Sequence, residues 1–128
     1  MDVISVPLSG VYEIIPIKFE DNRGWFLESF NLRDFSAMIG KDVDFVQDNH
    51  SYSRKGVLRG LHYQTENTQG KLVRVISGEV YDVVVDLRVS SETYGKSYGT
   101  FLSGENRKQL WVPPGMAHGF LVLSTDAQ

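Results

Sequence analysis

An imidazole, which can gain or lose a proton near neutral pH, stands three positions from a fixed cation in Val57-Leu58-Arg59-Gly60-Leu61-His62-Tyr63-Gln64, a run that reads as β. Side chains alternate faces along a strand, so Leu58, Gly60, His62 and Gln64 share one face, with Arg59, Leu61 and Tyr63 on the other. Gly60 leaves room beside His62. A ligand can approach the backbone there and meet the imidazole, and a twist or bend at the glycine can turn Arg59 toward the same mouth. The plainer alternative is a core strand with one hydrogen-bonded histidine and a surface arginine.

Further polar clusters ask the same question. Arg23 and Glu28 bracket Trp25-Phe26, and Gln47-Asp48-Asn49-His50 sets four hydrogen-bonding side chains in a row. Such a row either faces a ligand or closes a strand end with Asp48 and Asn49 in local turns. Lys71 opens a run directly after Gln69-Gly70, and Arg74 follows; solvated faces are the ordinary fate of both. Pro113-Pro114-Gly115-Met116-Ala117-His118-Gly119-Phe120 carries His118 just beyond a tight turn, where it is either structural or part of a site.

The elements that must position these groups are mostly short strands. Val11 to Phe19 is apolar and β-branched, Glu20-Asp21-Asn22-Arg23-Gly24 reads as a turn, and Trp25 to Phe30 as the returning strand. Asn31 reads as an N-cap. With Leu32, Phe35, Met38 and Ile39 at helical spacing and Gly40 as the stop, the pattern predicts one helix over Leu32–Ile39. Further strands are expected near Asp44 to His50, Val57 to Gln64, Lys71 to Ser77, Glu79 to Leu87, Ser97 to Leu102, Gln109 to Val112 and His118 to Leu123. Many short strands separated by glycine turns predict a sandwich or barrel.

Composition narrows the classes. At 128 residues and 41% hydrophobic, the chain makes one domain able to bury a core. A net charge of -3 argues against a nucleic-acid partner, although a few local cations can still hold a small anion. With no cysteine, disulfides and thiolate chemistry are excluded. No apolar run approaches a membrane span and Met1 to Gly10 lacks the pattern of a signal peptide, so a soluble, cytoplasmic protein is expected.

Five segments together carry a resemblance: Asn22 to Glu28, Gln47 to Ser51, Gly56 to Gln64, Gln69 to Arg74 and Pro113 to Phe120. In this order they resemble the dTDP-4-dehydrorhamnose 3,5-epimerase family, and the match runs almost end to end. The resemblance implies a mainly β, cupin-type barrel (jelly roll) with one short helix, as a single domain over 1–128. It implies a homodimer with shared active sites and a dTDP-linked 4-keto-6-deoxy sugar as substrate, serving rhamnose and cell-surface polysaccharide supply. His62 resembles the general base that removes the C5 and C3 protons, and Lys71 the cation near the C4 oxygen. Arg59 and Arg23 resemble diphosphate ligands; Phe26, Glu28, Gln47 and Asn49 resemble nucleotide-pocket residues, with Arg23, Phe26 and Glu28 reaching into the partner's site. His118 resembles a residue lining the sugar pocket. No cofactor or metal is implied, because a proton beside a ketone becomes removable once a fixed positive group stabilises the enolate.

Family members continue for several dozen residues beyond Gln128, and the resemblance places in that stretch a tyrosine acid and the aspartate that pairs with the base. The expectation is a shortened form of the family, weak or inactive as an epimerase; a non-catalytic or inactive sugar-nucleotide-binding module is the alternative. A metal cupin is a further rival, with Gln64 standing where its second histidine is needed. The strand at His118 to Leu123 is expected to expose an edge or part of an apolar face, and with it a tendency to associate.

Overall fold

The strict alternation in Glu79–Asp86, with Val80, Asp82, Val84 and Asp86 buried and the residues between them more open, makes this an inner strand of a two-layered fold. A computed structural model describes residues 1–128. Its elements are β1 (Asp2–Ser5), β2 (Tyr12–Ile15), β3 (Lys18–Asp21), β4 (Gly24–Leu27), α1 (Leu32–Ile39), β5 (Ser53–Arg54), β6 (Leu58–His62), β7 (Lys71–Arg74), β8 (Glu79–Asp86), β9 (Ser97–Ser103), β10 (Gln109–Val112), β11 (Met116–Val122) and β12 (Asp126–Ala127). Two antiparallel four-stranded sheets, in the orders β1-β2-β10-β7 and β6-β11-β8-β9, carry the structure, and β12-β5 and β3-β4 form small ribbons. Val80, Val84, Leu102 and Val122 of the second sheet meet Leu110 and Val112 of the first in one buried cluster. The fold is the mainly β, flattened barrel expected.

The helix forms where its caps place it. The Asn31 side chain accepts the Asp34 N–H at 3.2 Å, and Gly40 closes the last turn at φ 71, a conformation glycine adopts at low cost. Because Leu110 and Val112 point inward, Gln109 and Trp111 point outward, and Trp111 with Ile14 receives buried Phe35 of the helix. No helix is long and apolar enough to cross a membrane.

Three expectations are corrected. Val11 to Phe19 is two strands, because Pro16 lacks an N–H for a ladder and is buried where the chain changes sheet. Asp44 to His50 is irregular: its polar side chains turn to one another and to a cleft rather than to a ladder, with Gln47 Nε2 donating to Asn49 Oδ1 at 3.1 Å. Strand β11 has no free edge, since β6 and β8 pair with it on either side.

Asp86 ends β8 wholly buried and ties down the loop that follows. Its carboxylate accepts from Arg88 Nε at 3.0 Å, Arg88 Nη2 at 2.9 Å, and the hydroxyls of Ser91 and Thr93 at 2.6 Å each, while Arg88 Nη2 also donates to the Ser9 carbonyl at 2.6 Å. The Arg88 guanidinium, followed by the two hydroxyls, holds this carboxyl well below the usual carboxylate range despite its burial. A depressed folded pKa contributes stability that is present above the unfolded value and lost as pH falls through the folded one. Asp86→Asn should therefore cost about 2 kcal/mol near neutrality. In urea titrations the gap to wild type should narrow once the pH drops below the ordinary carboxylate range; a gap that stays constant into acid contradicts the assignment.

Candidate active site

The two histidines of the barrel meet across β6 and β11. His118 is the Cα partner of His62, but Phe120 pairs with Arg59, one residue out of step. Partners in an antiparallel pair share a face, and His118 and Phe120 share theirs, so the register shift puts Arg59 on the same face as His62. Simple alternation assigned them opposite faces; the bend at Gly60 turned them together. Gly60 sits at φ 113, and a Cβ there would lie 2.7 Å from the His118 carbonyl oxygen, so only glycine lets the strands close at this point. Arg59 Nε is fixed by donation to Ser53 Oγ at 2.9 Å.

Facing them is Asp82, wholly buried on β8 and the cross-strand partner of Phe120. His118 Nε2 lies 2.9 Å from each oxygen of its carboxylate. Burial pushes the Asp82 carboxyl up; His118 and the Lys71 ammonium pull it back only in part. Asp82 and Phe120 also line a cleft of about 640 Å³ together with Lys71, Gln47, Asn49, His50, Gln69 and Phe45. Lys71 opens β7, half-buried, immediately after Gly70, whose bare Cα rests on the Trp111 ring. His50, on the same cleft, pairs with Gln128 Oε1 at 3.1 Å.

The structure thus brings together His62, Arg59 and His118 on one face, and Lys71, Gln47 and Asn49 along the adjoining cleft. It does not bring Arg23, Phe26 or Glu28 there. These belong to the β3–β4 ribbon and the residue beyond it, where Arg23 pairs with Asp21 at 2.6 Å and Phe26 is 69% exposed. Sequence reading also missed Asp82. Its signal was an acidic residue in the inward phase of an otherwise apolar strand, between Val80 and Val84. Chemically, the face offers an exposed imidazole with no partner in the chain, a half-buried ammonium, and a cleft rich in hydrogen-bonding groups, which suits proton transfer beside a polarised carbonyl.

Comparison with known proteins supplies the family. The family described as dTDP-4-dehydrorhamnose 3,5-epimerase matches residues 5–128. The Shigella flexneri enzyme of that name is 57% identical over 129 aligned positions, covering all of this chain and 71% of its own length. The Methanothermobacter thermautotrophicus enzyme is 54% identical, covering 96% of this chain and 66% of its own. A crystal structure of dTDP-6-deoxy-D-glucose-3,5-epimerase from Legionella pneumophila, in complex with dTDP-4-keto-L-rhamnose, superposes with a TM-score of 0.95 at 51% identity, covering 98% of this chain and 67% of that one. The barrel is accordingly of the cupin type. With matches of this extent, the chain belongs to the dTDP-4-dehydrorhamnose 3,5-epimerase family.

Proposed function

We propose that this domain, residues 1–128, epimerises C3 and C5 of dTDP-4-dehydro-6-deoxyglucose, giving dTDP-4-dehydro-L-rhamnose. The observation that carries the reading is the register shift that sets Arg59 beside His62, opposite His118 and next to the Lys71 cleft. His62 takes the proton from the carbon beside the C4 ketone. The electrons of the broken C–H bond move into the ring, leaving an enolate whose oxygen Lys71 stabilises; water delivers a proton to the opposite face, which inverts the centre, and His62 passes its own proton to solvent. Arg59 and Arg23 hold the diphosphate, a task suited to a planar guanidinium. Gln47, Asn49, Phe26 and Glu28 make the nucleotide pocket, and His118 lines the sugar. No cofactor takes part in this scheme. Proton NMR of the keto sugar incubated with the protein in deuterium oxide tests it. Deuterium should enter at C3 and C5 and product of inverted configuration should appear; absence of exchange overturns the reading. The same spectra separate inversion from exchange alone.

The active unit is a homodimer in the cytoplasm, taking neither nucleic acid nor a membrane as partner. Support for the dimer lies in the β3–β4 ribbon, which pairs with no other strand and exposes Phe19, Trp25 and Phe26 by more than half. Aromatic surface of this kind favours burial against a partner, and it carries the site residues missing from the cleft. Light scattering should give a dimer, with Phe26→Ser shifting the mass toward monomer and weakening dTDP binding; a monomer that binds dTDP fully contradicts the shared site.

A further inference from the structure

Asp82 is a charged group in a place where packing asks for a hydrocarbon. Val80 and Val84, two residues to either side on the same face, are buried in the core, and Leu102 lies beside them. Its neighbour across β9, Thr100, is already engaged, donating to Glu13 and accepting from Lys108 Nζ. That leaves the carboxylate a single hydrogen-bonding side chain, His118. Burying a carboxylate for one imidazole is a poor way to stabilise a barrel.

We infer that Asp82 is a positioning residue: it locks the His118 ring with Nε2 protonated and steadies the Lys71 ammonium, setting the geometry and charge of this cleft wall before substrate arrives. The inference rests on the proposed epimerase reading. The contacts of 2.9 Å from Nε2 to both carboxylate oxygens support it, since an ionised carboxylate can only accept and Nε2 is then the donor. With Nε2 so engaged, Nδ1 makes no hydrogen bond in the chain and is not sealed from solvent-filled space, so it is the nitrogen left to meet a ligand. Around the pair stand His62 from β6 and Lys71 from β7; Glu13, Tyr98 and Lys108 form a separate bonded group beyond Thr100.

Asp82→Asn removes the charge at nearly constant volume. Long-range nitrogen–proton NMR should show the His118 ring Nε2-protonated in the wild type and no longer fixed in that form in the variant. Turnover in the exchange assay should fall roughly 10–100-fold, the usual effect of losing a group that orients a site residue. KM and dTDP affinity should hold, and Asp82→Glu should recover part of the rate. An unchanged His118 ring state, or unchanged turnover in folded Asp82→Asn, overturns the inference. Should that variant fail to fold, the wild-type spectrum decides, since an Nδ1-protonated ring refutes the assignment. A wild type that catalyses no exchange sinks the epimerase reading instead, and the His118 spectrum still tests Asp82.

Discussion

Replacing His62 with asparagine is expected to lower deuterium exchange at the sugar C3 and C5 by about 10²–10⁴-fold, the range that a positioned general base contributes. The side chain is exposed at the end of β6 and makes no hydrogen bond in the chain, so its removal should leave folding untouched. dTDP should bind as before, because Arg59, Gln47 and Asn49 keep their places. This separation of rate from binding marks a group that acts on the reacting proton rather than on the nucleotide. An exchange rate close to wild type would move the role of base elsewhere, with His118, directly across the strand pair, the first group to examine.

Trp111→Ala is expected to cost about 3–5 kcal/mol of stability, the usual loss when a buried aromatic becomes a cavity. Trp111 is 2% exposed and stacks edge-on with Phe35 at 5.2 Å and with Phe45 at 6.2 Å. It joins the helix to the first sheet and, as the cross-strand partner of Leu72, backs the start of β7. Gly70 lies against its ring so closely that a methyl group there would overlap it. The loss should therefore reach function as well, because Lys71 follows Gly70 directly and takes its position from that contact. Denaturant unfolding measures the first effect, and the KM and kcat of the folded fraction the second. A loss below about 1 kcal/mol, no more than an ordinary surface change, would show that the helix is held by something other than this ring.

Both predictions turn on the same arrangement. The outer face of the first sheet, where Trp111 sits, sets the position of one charged group of the cleft, and the contact of β6 with β11 sets the other two. Stability and chemistry are thus coupled through backbone placement: Gly60 and Gly70 are the points where a side chain would push the strands apart or push Lys71 away. The acidic clamp at Asp86 holds the loop after β8, through Arg88, Ser91 and Thr93, and touches none of the site residues, so its loss should lower stability without changing turnover.

Local signals were sufficient for much of the fold. Asn31 and Gly40 specify both ends of α1, because capping is decided within a few residues. Alternation over Glu79–Asp86 and the run Gln109–Val112 marks strands for the same reason: the side-chain period is a property of the strand itself. The five polar segments, taken together, were enough to indicate the family. Local reading failed at Asp44 to His50, whose polar groups line a cleft rather than extend a ladder, because that cleft is built by residues distant in sequence. What only the tertiary structure decided depends on partners distant in sequence. Arg59 and His62 share a face because β11 pairs with β6 one residue out of step at Gly60, and no period within β6 contains that shift. Asp82 belongs to the site because His118, 36 residues away in sequence, reaches it from the neighbouring strand β11. Arg23, Phe26 and Glu28 stand away from the cleft because the β3–β4 ribbon hydrogen-bonds to itself alone. Side-chain period and capping are written in neighbouring residues, whereas register and burial are settled only when separate strands come together.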